Sequence, residues 1–260
     1  MTILQRLISN RLTQAALTTK SAIIATSLIA FVIFVSTLQV DINGITHPYT
    51  TDVGEIQNAL PRWGTLHFTG YPLYTALGSA FVTVLRPFGI APAAGASLYS
   101  AVWGAISIGL LVAIALAFEV PSVVAGITAL LFALSTSMWI DSSIAELHTM
   151  TMALTFAALL AAIRFGRTAH KADLYWLAFL SGQGIAHQRA FAFLGLGLLV
   201  LVIQQWRTIW QRLPAAIALA LLGPLTYLYL PLRAWFGADW LFSSPGTWDG
   251  FWALVLDTKV

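Results

Sequence analysis

The stretch YPLYTALGSAFVTVL at residues 71–85 decides how the chain is laid out. It is apolar enough for a lipid environment, but a helix of that length rises only about 22 Å, against a hydrocarbon core of about 30 Å. Such a segment reads as re-entrant or interfacial, resting on or dipping into one leaflet. Whether it crosses fixes the side on which every later loop falls.

Outward from this stretch the chain is built of long apolar runs. It is 58% hydrophobic and only 9% charged over 260 residues, where soluble domains carry roughly 25% charged residues. The bilayer is therefore its solvent. About seven runs are long enough to cross, at 21–40, 97–118, 122–140, 147–165, 173–187, 190–206 and 213–232. The first reads as an anchor rather than a cleaved leader, because its apolar run is long and STLQVDING offers no small-x-small site. Residues 1–20 form a basic cytoplasmic lead-in, 21–257 the transmembrane domain, and 41–96 its long first outer loop; no soluble C-terminal domain is expected. The last stretch, 239–252, reads as a loop at the outer interface.

Charge supports the non-crossing reading of 71–85. With that segment outside, Arg6, Arg11, Lys20, Arg164, Arg167, Lys171, Arg207 and Arg212 fall inside, joined only by Glu119 and Asp173 among the acids. Asp41, Asp52, Glu55, Asp141, Glu146, Asp239, Asp249 and Asp257 fall outside. If 71–85 crossed, the basic loop 164–171 would face outward, against the positive-inside tendency. The basic residues form no stripe, so no nucleic-acid partner is expected. With no cysteine in the sequence, disulfides and thiolate chemistry are excluded.

Ionisable residues gather on the outer face. Asp52 and Glu55, three apart, share a helix face if VGEIQNA is helical. A close carboxylate pair can equip one member as a base or hold a divalent cation. The same spacing also fits an N-cap with its third-position partner. In HFTGYPLY, 67–74, Gly70 allows a close approach or a positive φ and Pro72 suits a first helical turn. His67 and Tyr71 are candidate substrate contacts there, beside the plainer reading of a loop-to-helix joint. In MWIDSSIAELHTM, 138–150, Asp141, Glu146 and His148 cluster where the third run emerges. Glu146 directly precedes an apolar helix, and ionisable groups at membrane depth are functional candidates. His187 and Arg189 sit in a tight outer turn, where Arg189 can snorkel to headgroups or bind a lipid phosphate. Arg233 has the same two readings.

DVGE at 52–55, HFTGYPLY, and LYSAVWG at 98–104 resemble the opening of a family of membrane proteins that includes an endoplasmic-reticulum protein O-mannosyltransferase. IAELHTM at 144–150, GIAHQ at 184–188 and LYLPLRA at 228–234 continue the likeness in order, over roughly 45–257. Where the family usually has HisPro and a small residue before GlyTyrPro, this chain has HisPheThr. It also has Gln188 and Arg189 where a small polar residue is usual. The resemblance implies an all-α GT-C-like transmembrane bundle whose first outer loop carries a membrane-surface helix. It further implies transfer of a sugar, hexosyl or mannosyl, from a polyprenyl-phosphate carrier to a protein or glycan acceptor at the outer face, with inversion. In that reading Asp52 and Glu55 are catalytic. His67, Tyr71, Glu146, His148, His187, Arg189 and Arg233 bind substrate, Arg189 or Arg233 at the phosphate. No cofactor or metal ligand is assigned beyond a divalent cation as an option. The location implied is a bacterial plasma membrane with the N-terminus cytoplasmic. The alternatives are a non-catalytic membrane subunit or lipid-binding scaffold of the same fold, and a transporter. A transporter would place its ionisable groups near the midplane rather than at one face.

Overall fold

The computed structural model describes residues 3–43 and 51–258, with side chains for all of these except 3–17 and 51. Part of the expected outer loop, residues 44–50, and the last two residues lie outside the described set. The described residues are helical, with no strand among them.

The first helix, α1 (Ile3–Ser36), is continuous, so the basic lead-in and the apolar run expected at 21–40 are one helix that ends before Thr37. Next come α2 (Thr51–Ala59), α3 (Pro72–Leu85) and α4 (Pro92–Ala117). Pro72 occupies the first turn of α3, where its missing N–H costs nothing. Gly70, at φ +83°, brings the backbone against Leu230, whose methyls would lie 2.9 Å from any Cβ placed there. Both ends of α3 meet the first part of α4. Tyr74 packs on Tyr99 with ring centroids 5.1 Å apart, and Val82 and Leu85 lie beside Gly95. The short apolar stretch is thus a helix laid across one end of α4. It does not follow α4 to Ala117.

The run expected at 122–140 is broken. α5 (Ser122–Ala133) and α6 (Thr136–Ser143) meet at an angle of 71°. The polar sequence Ser-Thr-Ser after Leu134 restarts the helix in a new direction, with Ser135 extended at its head. α6 packs closely on α4, where a Cβ on Gly104 would collide with Ser142 Oγ. α7 (His148–Thr168) then runs the length of α4, and Arg167 donates to the Ala117 carbonyl at its far end.

α8 (Lys171–His187) returns to the end occupied by α3, and α9 (Phe191–Val202) descends again. By length and apolarity four helical stretches qualify as spans: Thr18–Ser36, Pro92–Ala117, His148–Thr168 and Phe191–Trp235, the bent α5–α6 pair making a fifth. The last is not one straight rod. Phe191 lies against Gly184, and Tyr227 donates to the Ala186 carbonyl at 2.9 Å. Between them Gln205 reaches the Gly166 carbonyl at 2.9 Å, at the opposite end. The chain therefore reverses at Ile203–Gln205. It climbs back as α10 (Trp206–Leu225) and continues through α11 (Tyr229–Trp235). Gly182 and Gly223 let α8 and α10 touch backbone to backbone, since a Cβ on either would strike the carbonyl oxygen of Ala220 or Gly182.

The aromatic tail holds more structure than a surface loop. α12 (Trp248–Leu256) forms because Thr247 caps it, Oγ1 accepting from Gly250 N–H at 3.1 Å.

Candidate functional site

The reversals bring one set of loops together at the α3 end: the head of α2, residues 63–71, the α6–α7 turn and the end of α8. Most of the residues singled out in the sequence are there.

Glu55 and His67 are locked together. Glu55 Oε1 accepts from the His67 backbone N–H at 2.8 Å, and Oε2 meets the ring Nδ1 at 2.6 Å. His67 Nε2 faces Asp52 Oδ2 at 3.6 Å. The ring is held edge-on by Tyr71 and Phe242, with centroids 5.5 Å and 6.3 Å away. The hydrogen bond that the His67 ring donates to Glu55 raises the His67 pKa above its ordinary value, opposed by burial and helped by the charges of Glu55, Asp52 and Glu146. The capping reading of Asp52 and Glu55 does not hold. α2 already includes Thr51, which puts Asp52 within its first turn, and both Glu55 oxygens point to His67 rather than back to the helix start.

Asp52, Glu55 and His67 each offer an atom that could ligate a metal, all within 4.8 Å of one another. Two ligands of one ion with bonds of about 2.0–2.2 Å sit about 3 Å or more apart. Nδ1 and Oε2 at 2.6 Å are closer than that. That contact is a hydrogen bond, whereas His67 Nε2 and Asp52 Oδ2, 3.6 Å apart, stand at a spacing that two ligands of one ion can take.

A second acid–imidazole group lies across from the first. His148 Nδ1 is 3.4 Å from Asp141 Oδ2 and 3.7 Å from Glu146 Oε2. Ser100 fixes the Glu146 backbone, accepting from its N–H at 2.9 Å and donating to its carbonyl at 2.8 Å. The Glu146 side chain is buried, and its Oε2 has no hydrogen-bond partner among the described residues. Burial pushes its pKa up to about 7, with His148 opposing and Asp141 and Asp52 adding to the rise. A cavity of about 130 Å³ opens beside Asp141, His148 and Thr149.

His187 and Tyr71 join the two groups. His187 is 1% exposed, with Nε2 3.4 Å from the Leu147 carbonyl and its ring 5.6 Å from that of Tyr71. Burial, then Asp52, push the Tyr71 phenol up to about 12, so it stays a neutral hydrogen-bond donor.

The two arginines are placed differently. Arg189 is half exposed, 3.9 Å from Asp257 and bonded to the Leu256 carbonyl at 3.3 Å on α12. It stands near enough to Tyr71 to oppose in small part the rise that burial gives its phenol pKa. Arg233 instead holds residue 63, with Nε donating to the Trp63 carbonyl at 2.7 Å and its guanidinium over the Trp63 ring. Sequence reasoning passed over Ser100, Tyr227 and Phe242. Tyr227 lies one residue before the LYLPLRA block, and Ser100 lies inside LYSAVWG, but neither carries a charge that would single it out.

No curated protein and no solved structure matches the chain significantly. The family model for the Protein O-mannosyl-transferase TMEM260 N-terminal domain matches residues 52–212, beginning at Asp52 and covering more than half of the chain. The chain is a membrane protein that belongs to this O-mannosyltransferase domain family.

Proposed function

We propose that the chain is the membrane core of a glycosyltransferase that moves a sugar, mannose by its family, from a polyprenyl-phosphate carrier to a hydroxyl of a protein acceptor. The observation that carries this reading is the meeting of two acid–imidazole groups with Tyr71 and His187 at one end of an apolar helical bundle. Transfer to a hydroxyl needs a proton acceptor beside the nucleophile and hydrogen-bond donors for the sugar and the departing phosphate. The first group supplies the proton acceptor. Glu146, held dry and near neutrality, and Tyr71 supply neutral donors. Arg189 at the rim is the cation for the phosphate, and a lipid-borne donor accounts for a site at a bundle end.

In this reading the bundle is GT-C-like, with seven crossings formed by α1, α4, the bent α5–α6 pair, α7, α8, α9 and α10. α8 has 17 residues and rises about 26 Å, enough for a slightly thinned bilayer. The acid–imidazole end faces outward, because Arg164, Arg167, Lys171 and Arg207 gather at the opposite end. The test is incubation of the purified chain in lipid nanodiscs with radiolabelled polyprenyl-phosphate mannose and a Ser/Thr-rich peptide. Transfer or slow hydrolysis of the label is expected. A donor that stays intact under all conditions removes the catalytic reading and leaves a scaffold of the same fold.

A further inference from the structure

The family resemblance points to Asp52 as the group that activates the acceptor. The geometry points to His67 Nε2 as the atom that takes the acceptor's proton, with Glu55 as its positioning residue and Asp52 as a second charge that stabilises the protonated ring. This assignment rests on the glycosyl-transfer reading and names the atom within its site.

Four observations lead there. An ionised carboxylate only accepts hydrogen bonds, so the 2.6 Å contact with Glu55 Oε2 makes Nδ1 the protonated nitrogen. In the neutral ring, Nε2 is then a bare acceptor. Second, Glu55 also grips the backbone N–H of the same residue at 2.8 Å, so ring and main chain are fixed by one side chain. Third, Nε2 and Asp52 Oδ2 stand 3.6 Å apart, too far for a direct hydrogen bond. Asp52 therefore leaves Nε2 free to accept the one proton of an acceptor hydroxyl. Fourth, the groups facing the ring are Glu55 and Asp52 from α2, Glu146 from the α6–α7 turn, and the Tyr71 and Phe242 rings. Among the described residues no lysine or arginine faces the ring. An imidazolium formed during reaction is thus flanked by the Glu55 and Asp52 carboxylates, which stabilise it.

The arrangement is that of a carboxylate–imidazole pair, in which the acid holds the tautomer and stabilises the cation while the ring moves the proton. The step balances simply. The acceptor O–H proton passes to His67 Nε2 as the acceptor oxygen bonds to the sugar C1. The C1–O bond to phosphate breaks, and its electron pair leaves on the polyprenyl phosphate. The imidazolium then returns its proton to water. A base poised near neutrality suits this better than a carboxylate titrating near 4, because catalytic efficiency peaks when the pKa lies near the working pH.

The assignment is tested on the full chain in nanodiscs by two measurements. The first is the pH dependence of kcat/KM for transfer. The wild type should gain activity through a single limb above the ordinary histidine value of about 6.5. In Glu55→Gln that limb should move to lower pH, since the largest cause raising the His67 pKa is gone. His67→Gln should lose on the order of 10²–10⁴-fold in kcat with KM for the donor little changed. The second is ¹⁵N NMR of labelled histidines, with His67 identified by its loss in His67→Gln. The neutral ring should be protonated at Nδ1, and Glu55→Gln should erode that preference. An Nε2–H tautomer in the wild type overturns the assignment whatever the activity. So does a wild-type limb near pH 4 that Asp52→Asn abolishes, or full activity in His67→Gln. Absence of transfer by the wild type overturns the glycosyl-transfer reading and this assignment with it. Transfer by the wild type with any of the other results overturns this assignment alone.

Discussion

The two acid–imidazole groups use the same residue types in opposite ways. Around His67 the contacts are 2.6 Å and 2.8 Å, and the carboxylate of Glu55 is wholly engaged in holding its partner. Around His148 they are 3.4 Å and 3.7 Å, the ring is half exposed, and Glu146 is buried with one oxygen unpartnered among the described residues. A short, doubly bonded pair fixes a tautomer and a direction. A loose pair over a buried acid fixes neither, but keeps a proton on the acid near neutral pH. The first group is suited to accepting a proton at a set point, the second to offering a hydrogen bond to a polar ligand.

The contrast breaks most easily at Glu55. Glu55→Ala removes the acceptor of two bonds and should cut transfer by about 10²-fold or more, whereas Glu55→Gln keeps an acceptor for the backbone N–H and should be milder. Asp52→Asn removes a charge that stabilises the imidazolium and should cost about tenfold, short of the complete loss expected of a base. The matching change in the loose group, Asp141→Asn, should cost only a few-fold. Initial rates with labelled donor decide the matter: if Asp141→Asn falls as far as Glu55→Ala, tight and loose contacts carry no functional difference.

Both groups depend on where α8 places His187, and that depends on two glycines. Gly182→Ala or Gly223→Ala must push α8 from α10, because the new methyl meets backbone oxygen rather than a movable side chain. Overpacking of this kind costs about 1–3 kcal/mol. A lower midpoint of thermal unfolding in detergent, with the His187–Tyr71 contact loosened, is the expected result. Gly195→Ala, where a Cβ meets nothing within 4 Å, should leave the midpoint in place.

A smaller effect separates the two groups by pH. Glu146 has a folded pKa raised to about 7 from 4.5, so between those values the folded chain binds more protons than the unfolded one. Stability should therefore fall as pH rises through that window, the penalty being absent below about 4.5 and complete above about 7. His67, also raised, adds stability that is complete below about 6.5 and is lost as pH rises through its folded value. Glu146→Gln should remove the first part of the slope, and unfolding midpoints at pH 5 and pH 8 should converge by a few degrees relative to the wild type. An unchanged slope would mean that Glu146 is not held dry.

Much of this was legible in the sequence, and the rest has identifiable reasons. Apolar runs marked most helices, because in lipid the length of a run counts for more than its periodicity. The shortness of 71–85 and the cluster of Asp141, Glu146 and His148 were readable for the same reason, being local. The Glu55–His67 lock was not. Spacing at 52 and 55 suits a cap equally well, and only the path of residues 60–66 swings His67 back over α2. The 71° bend at residues 134–135 was hidden in a run whose total length suited a straight span. Arg233 could not be separated from Arg189 because both follow apolar helices. Their difference lies in partners, Trp63 for one and α12 for the other.

The last prediction concerns side rather than energy. Both ends of α3 pack on the first part of α4, so the turn at Arg86–Phe88 should lie on the same face as the acid–imidazole groups. The basic turn at Arg167 and Thr168 sits against Ala117, at the other end of α4. The chain has no cysteine, so single cysteines report cleanly. Phe88→Cys is at a position 76% exposed and Thr168→Cys is in the exposed last turn of α7. Neither change should alter stability measurably. In intact cells a membrane-impermeant maleimide should label the first and spare the second. Labelling of both from one side would mean that α3 crosses after all, that the later loops are inverted, and that the basic end faces outward.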